Sequence, residues 1–163
     1  MTNGWSSMGY AIPAAIAAKL CHPELPVCAV VGDGGFIMTA GELAVAVREK
    51  LPIVFVLFAD SELALIRIKQ QRRGNPVYGT PVGEALGEGA LAEGSSSVPS
   101  RGEETRPTAT VFGVPMIRAR NATEFETALR VGFAADGPTI VQAVIDPREY
   151  DDLVLRDDRG NAS

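Results

Sequence analysis

Two short apolar runs constrain the fold of this chain more than any other feature. The runs cover residues 27–31 and 53–58, and a stretch with a helical pattern, residues 37–49, lies between them. Continuous apolar runs of this length are typical of strands in a parallel sheet covered on both faces. A strand–helix–strand order implies a right-handed crossover that places the strands side by side. The pattern therefore predicts an α/β fold built on a parallel sheet.

The same patterns extend the prediction along the chain. Helices are predicted over residues 10–20, 61–71 and 123–135, and strands over residues 115–119 and 139–145. In the second of these helices we expect an inward-facing apolar side formed by Leu63, Leu65, Ile66 and Ile68. Asn121 or Thr123 is suited to cap the start of the third helix.

Composition divides the chain into one domain and a tail. Residues 1–147 are predicted to form a single domain, because 163 residues with 46% hydrophobic content suffice for one core and hardly for two. Within it, residues 81–107 are rich in Gly, Ser and Glu and are predicted to form an atypical loop. Residues 148–163 are predicted to form an acidic polar tail.

A glycine-rich turn and a second acid follow the two apolar runs. Gly32-Asp33-Gly34-Gly35 comes directly after the first run, and Asp60 comes directly after the second. Glycines allow backbone N–H groups to approach phosphate oxygens, and a following helix adds partial positive charge. Carboxylates supply the oxygen ligands that Mg²⁺ prefers. A lone Gly-Asp-Gly turn is common in α/β folds, so the prediction of a metal–diphosphate site depends on Asp60 as well.

These residues resemble the diphosphate-binding motif of thiamine diphosphate enzymes. The similarity runs through Gly32-Asp33-Gly34-Gly35, residues 41–48 and residues 51–60, and it extends upstream to residues 7–15, Ser-Met-Gly-Tyr-Ala-Ile-Pro-Ala-Ala. The acetolactate synthase-like branch, which includes carboligases and 2-oxo-acid decarboxylases, is the most similar. The resemblance implies a three-layer sandwich whose mainly parallel sheet is flanked by helices, with thiamine diphosphate and Mg²⁺ as cofactors.

The resemblance also implies a role for each candidate site residue. Asp33, Asp60 and the backbone C=O of Glu62 would bind the metal ion. Gly32, Gly34 and Gly35 would accommodate the diphosphate, while Met8 would lie under the cofactor as a hydrophobic wedge. Leu63 and Leu65 would contact the cofactor from the helix that follows the second metal ligand.

Two adjacent residues depart from the family pattern, and the acid among them matters most. Asp60 stands where the family usually has Asn, and Ala59 replaces the neighbouring Asn. An acid here adds negative charge around one cation, and like charges that share a site raise a carboxyl pKa while a metal lowers it. We expect tighter metal binding and weaker diphosphate binding than in a relative that carries Asn.

The resemblance covers only one half of an active site. Thiamine diphosphate enzymes also need a pyrimidine-binding half that contributes a glutamate, and no residue of this chain matches it. We therefore expect a pyrimidine-binding domain or subunit as partner, in a homo- or hetero-oligomer, with this chain as a split subunit, a fragment or a remnant. The alternative is a non-catalytic interaction module that retains cofactor binding.

Charge and composition restrict the remaining possibilities. The net charge of −5 argues against nucleic-acid and anionic-membrane surfaces, and no apolar run reaches the ~20 residues that span a bilayer. Cys21 and Cys28 are not spaced as a redox motif, so we expect reduced, packed thiols in the cytoplasm. The basic run Arg67, Lys69, Arg72 and Arg73 is interpreted as a solvated helix face. If the partner is absent, we expect an exposed apolar patch that makes a lone monomer prone to self-association, formed around Trp5, Met8 and Tyr10.

Overall fold

A five-stranded sheet organises the chain in the computed structural model, which describes residues 7–82, 107–146 and 150. The strands lie in the order β1-β2-β5-β4-β3, and every neighbouring pair is parallel except the antiparallel β3–β4 pair. The predicted α/β fold with a mainly parallel sheet is therefore confirmed. The strands are β1 (Val27–Gly32), β2 (Ile53–Ala59), β3 (Ala109–Val111), β4 (Val114–Ala119) and β5 (Thr139–Val144).

Helices cover both faces of this sheet and complete the predicted three layers. One core contains Ile12, Phe36 and Leu43 from three helices, packed with alternate residues of the strands such as Phe55 and Ile140. The opposite core lies under the fifth helix and includes Val54, Val56, Ile117, Ala128 and Val141. The helices are α1 (Ala11–Cys21), α2 (Asp33–Thr39), α3 (Leu43–Arg48), α4 (Ala64–Arg72) and α5 (Ala122–Ala134).

The single helix predicted over residues 37–49 is wrong, because α2 and α3 are separate helices. A 3₁₀ turn, Ala40–Glu42, separates them, and Thr39 leaves helical geometry with φ −134°. Gly41 within that turn further weakens a continuous helix. Helix α2 also begins earlier than expected, so Gly34 and Gly35 lie inside its first turn. The predicted cap of α5 is confirmed, since the Asn121 side chain accepts from the Glu124 N–H.

Among the residues that the structure describes, strand β1 is covered on one face only, which corrects the prediction of two covered faces. Its residues alternate between exposed and buried, and Val30 is 57% exposed on the open face. Helix α5 packs against β2, β4 and β5. Strand β2 is buried along both faces as predicted, apart from Phe58. Cys21 and Cys28 are free thiols but exposed, so their predicted packing role is wrong.

The segment between β2 and α4 is not helical at its start, contrary to the prediction. Ser61 has φ +64°, which is incompatible with a helix beginning there, and α4 starts at Ala64. Ala64 and Ile68, one helical turn apart, are the buried positions of α4. Leu65 and Ile66 are instead 49% and 44% exposed, so their predicted inward orientation is wrong.

A tight hairpin joins β3, which the sequence analysis missed, to β4. Val111 pairs with Val114 around the two-residue turn Phe112-Gly113. Both turn residues have positive φ, +47° and +84°, as two-residue hairpin turns often require. Phe112 is a bulky residue in a conformation that favours Gly or Asn.

A buried polar pair bridges β4 and β5. The Arg118 Nε donates to the Gln142 Oε1 at 2.8 Å, and Gln142 is fully buried. Within the described part of the chain, the Arg118 Nη2 and the Gln142 Nε2 have no hydrogen-bond partner. Buried donors of this kind are rarely left unsatisfied in proteins.

Several predictions fall on residues outside the described ranges. These are the placement of Trp5, nearly all of the 81–107 loop and the 148–163 tail apart from Tyr150. Among the helices of residues 7–82 and 107–146, none combines the length and apolar character needed to cross a bilayer.

Candidate functional site

The carboxyl ends of β1 and β2 bring the two predicted acids together. Gly32 of β1 is in register with Phe58 of β2, so the residues that follow each strand meet at one edge of the sheet. Asp33 is the first residue of α2 and is only 5% exposed. Its Oδ2 accepts hydrogen bonds from the N–H groups of Asp60 at 3.2 Å and Ser61 at 2.9 Å. Asp33 thus ties the start of α2 to the end of β2.

The carboxyl groups of Asp33 and Asp60 interact directly. Burial is the main reason that the pKa of Asp60 rises from 3.8 to about 6, and a hydrogen bond with the Asp33 carboxyl and repulsion from its charge raise it further. The Glu62 N–H, which donates to Asp60 Oδ1 at 3.1 Å, lowers the pKa and opposes the rise. Two neighbouring acids at one edge of a sheet suit a cation that offsets the repulsion between them.

A short ordered loop presents Glu62 and Leu63 beside this acid pair. The Leu63 N–H donates to the Thr80 C=O at 2.7 Å, and the Val82 N–H donates to the Ser61 C=O at 2.9 Å. Glu62 forms an isolated antiparallel bridge with Pro81. The left-handed conformation of Ser61 allows the chain to turn at this point, a kind of backbone strain that is often found at functional sites.

Glycine at position 34 leaves space that no other residue would leave. A Cβ atom there would collide with Leu63 Cδ2 and would lie 3.1 Å from Met8 Cε. Met8 is held nearby because the Thr39 Oγ1 donates to the Gly9 C=O at 3.0 Å, and Gly9 itself has φ +82°. Met8 and Leu63 therefore converge over the bare backbone of Gly34, at the N-terminus of α2.

All nine candidate residues line one cavity of about 1290 Å³ at this edge of the sheet. The cavity is larger than the ~300–1,000 Å³ typical of small-ligand pockets, and it continues along the open side of β1. Met8 and Leu65 are about half exposed toward it. The nine residues are Met8, Gly32, Asp33, Gly34, Gly35, Asp60, Glu62, Leu63 and Leu65.

The structure adds lining residues that sequence reasoning missed. Tyr10, Phe58 and Tyr150 border the same cavity. Phe58 follows from strand register, since it pairs with Gly32, but register was not predicted. Tyr150 falls in the predicted polar tail, and no pattern in the sequence connects it with the site. His22 is exposed, with its Nδ1 3.9 Å from Glu24 Oε1, and it does not line this cavity.

Comparison with known proteins places this geometry in a family. Residues 1–143 match the family model of the thiamine pyrophosphate enzyme, C-terminal TPP binding domain. The chain belongs to this family. The predicted resemblance is therefore confirmed, and acetolactate synthase-like enzymes are among its relatives.

Two curated relatives and one solved structure define the extent of the similarity. The chain is 31% identical over 146 residues to an acetolactate synthase of Bacillus subtilis, a match covering 90% of this chain and 22% of the relative. It is 28% identical over 149 residues to the catabolic acetolactate synthase of Raoultella terrigena, covering 91% and 23%. A Rhodococcus jostii thiamine diphosphate-dependent 4-hydroxybenzoylformate decarboxylase superposes with a TM-score of 0.64 at 23% identity, covering 85% of this chain and 23% of that one. The chain thus spans between a fifth and a quarter of each of these proteins.

Proposed function

We propose that this chain binds thiamine diphosphate through Mg²⁺ as the diphosphate-binding half of a 2-oxo-acid decarboxylase or carboligase of acetolactate synthase type. The observation that carries the proposal is the meeting of Asp33 and Asp60 at the carboxyl ends of adjacent strands, where Asp33 Oδ2 accepts from the Asp60 N–H at 3.2 Å. Family membership and the relatives' names support the identity of the cofactor.

The residues present fit a metal-bridged diphosphate. Within residues 7–82, 107–146 and 150, no group of three or more His, Cys, Asp or Glu side chains is placed to hold a metal ion. A cation bound by Asp33 and Asp60 would therefore need the Glu62 carbonyl and diphosphate oxygens as further ligands, which suits the six oxygen ligands of Mg²⁺. Gly35 offers a backbone N–H group without a side chain in the first turn of α2, while the Gly34 N–H donates to Asp33 Oδ1 at 2.7 Å.

Apolar residues would hold the rest of the cofactor. Met8 and Leu63 converge over Gly34, and Leu65 lines the same cavity from α4. When bound, the cofactor supplies the carbanion chemistry, and this chain supplies binding, orientation and exclusion of water. A pyrimidine-binding domain or subunit would complete the site and contribute the glutamate that this chain lacks.

Calorimetry of the purified chain tests the proposal. Thiamine diphosphate is titrated into the chain with Mg²⁺ and, separately, with EDTA. We expect binding that requires Mg²⁺, that is lost in Asp33→Ala, and that is unchanged in Glu126→Gln, which replaces an exposed acid of α5. Absence of Mg²⁺-dependent binding to the folded chain would refute the proposal.

A partner experiment separates the catalytic function from its alternative. The chain is mixed with a pyrimidine-binding half of an acetolactate synthase-like enzyme, and release of CO₂ from a 2-oxo acid such as pyruvate is measured. Activity that needs both chains supports an enzyme subunit. Cofactor binding without any activity in the mixture supports the non-catalytic interaction module.

A further inference from the structure

The Glu62 side chain makes contacts that the proposed metal site does not use. Its Oε2 accepts from the Arg67 Nε of α4 at 2.6 Å, and its Oε1 accepts from the Thr80 hydroxyl at 3.0 Å. The Glu62 and Arg67 side chains are only 21% and 17% exposed, and Thr80 is fully buried. Arg67 is therefore not part of a freely solvated helix face, which corrects its interpretation from the sequence.

We propose that Glu62, Arg67 and Thr80 form a clamp that positions the Glu62 carbonyl as a metal ligand. This inference rests on the proposed function and deepens it. In this arrangement Glu62 would serve two purposes, since its carbonyl would bind the metal while its side chain anchors the loop. Arg67 and Thr80 act as positioning residues, because neither is among the residues assigned to contact the cation or the diphosphate.

The backbone contacts of the loop explain how the clamp acts. The Glu62 N–H is held by Asp60 Oδ1, and the next N–H, that of Leu63, is held by the Thr80 carbonyl. The Glu62 peptide is thus fixed on both sides, while its carboxylate is fixed to α4 and to Thr80. Groups that orient metal ligands typically change metal affinity about 10- to 100-fold when they are removed.

The positive charge of Arg67 also affects metal binding, and the experiment must separate this effect from positioning. Arg67 neutralises a carboxylate that lines the same cavity as Asp33 and Asp60. Removing Arg67 alone would leave a third negative charge near the diphosphate. Removing both charges, in Glu62→Gln/Arg67→Met, restores the charge balance but not the anchored geometry.

The test measures Mg²⁺ and Ca²⁺ affinities at a fixed concentration of thiamine diphosphate. We expect Mg²⁺ affinity to fall about 10- to 100-fold in Arg67→Met and to stay low in the double variant. Ca²⁺ accepts more flexible geometry than Mg²⁺, so its affinity should fall less and the Mg²⁺/Ca²⁺ ratio should decrease. Thermal melting establishes whether each variant is folded. Thr80→Val, which exchanges only the hydroxyl for a methyl group, replaces any variant that is not folded.

A matched control uses the ion pair on α5. Arg130 contacts Glu126 at 2.7 Å with both side chains largely exposed, so Glu126→Gln/Arg130→Met should leave both metal affinities unchanged. Two results would overturn the clamp but not the proposed function. One is full recovery of Mg²⁺ affinity in the Glu62/Arg67 double variant. The other is an unchanged ratio of Mg²⁺ to Ca²⁺ affinity in every folded clamp variant. Absence of Mg²⁺-dependent binding in the unmodified chain would overturn the proposed function, and the clamp with it.

Discussion

Replacing Asp60 with Asn tests whether an acid weakens cofactor binding at the proposed second metal-ligand position. Asn keeps a ligand oxygen but carries no charge beside Asp33 and the diphosphate. The rise in the pKa of Asp60 from 3.8 to about 6 would correspond to roughly 3 kcal/mol at ~1.36 kcal/mol per pKa unit. Because Asp60 is only partly buried, solvent screening reduces this to about 1.5 kcal/mol, or about tenfold in an equilibrium constant.

We therefore expect Asp60→Asn to bind thiamine diphosphate more tightly at saturating Mg²⁺, by no more than about tenfold, because the amide adds no charge that repels the diphosphate. It should bind Mg²⁺ alone more weakly, because one charged ligand has become neutral. Calorimetry at neutral pH measures both affinities, with Glu126→Gln as the control for the loss of an acid elsewhere. Equal or weaker cofactor affinity in Asp60→Asn at saturating Mg²⁺ would refute the reasoning.

The same carboxyl gives the metal-free chain a distinctive dependence on pH. Below about pH 4, Asp60 is protonated in both the folded and the unfolded chain, and its favourable contribution to stability is complete. Between about pH 4 and pH 6 only the folded chain keeps the proton, so the free energy of unfolding falls as the pH rises through the folded-state pKa of Asp60. Urea unfolding of the unmodified chain and Asp60→Asn should show a stability difference that grows by about 1.5 kcal/mol across this interval. A difference that does not change with pH would contradict the assignment.

Three further substitutions test separate parts of the structure. Phe112→Asn should raise the free energy of unfolding by about 1 kcal/mol, since Asn tolerates the positive φ of the hairpin turn; a lower melting temperature would contradict this. Gln142→Glu should raise the melting temperature by about 2–4 °C, because its carboxylate can accept from both Arg118 Nε and Nη2; a decrease would show that burying the charge costs more than the new bonds return. Gly34→Ala should leave the fold intact, as melting curves would show, but lower cofactor affinity at least about tenfold, because its Cβ displaces Leu63; unchanged affinity by calorimetry would contradict this.

Local sequence patterns predicted the fold well where burial alone determines structure. The sequence predicts a strand over residues 53–58 because the run is apolar, and nearly every side chain of β2 is buried. It offers Asn121 or Thr123 as the cap of the last helix, and in the structure Asn121 accepts from the Glu124 N–H at the start of α5. The exposed face of β1 could not be predicted, since an apolar residue such as Val30 has the same hydrophobicity whether or not a partner covers it. The short β3 has too few residues to show a period.

The candidate site was only partly predictable, because contacts made by loops leave no periodic pattern in the sequence. Asp33 and Asp60 follow apolar runs, so the meeting of strand ends at one edge of the sheet was enough to pair them. The contact of Glu62 with Arg67 and Thr80 depends on the left-handed turn at Ser61 and on a loop that returns beside it. Neither feature has a periodic signal in the sequence, and residues five apart do not form a standard helical pair.

The sheet order has a consequence for when the binding edge can form during synthesis. β5 lies at the centre of the sheet, yet it is the last of the described strands to be synthesised. Val54 of β2 therefore cannot pair with its partner in β5 until Thr139 has been synthesised. Until then the sheet consists of two separate strand pairs, and such long-range pairing slows folding. The Ile145 N–H finally donates to the carbonyl of Ala59 at 3.0 Å, immediately before Asp60. A nascent chain that already contains the Gly32-Asp33-Gly34 turn and Asp60 therefore lacks a finished cofactor edge until residue 145 has emerged from the ribosome.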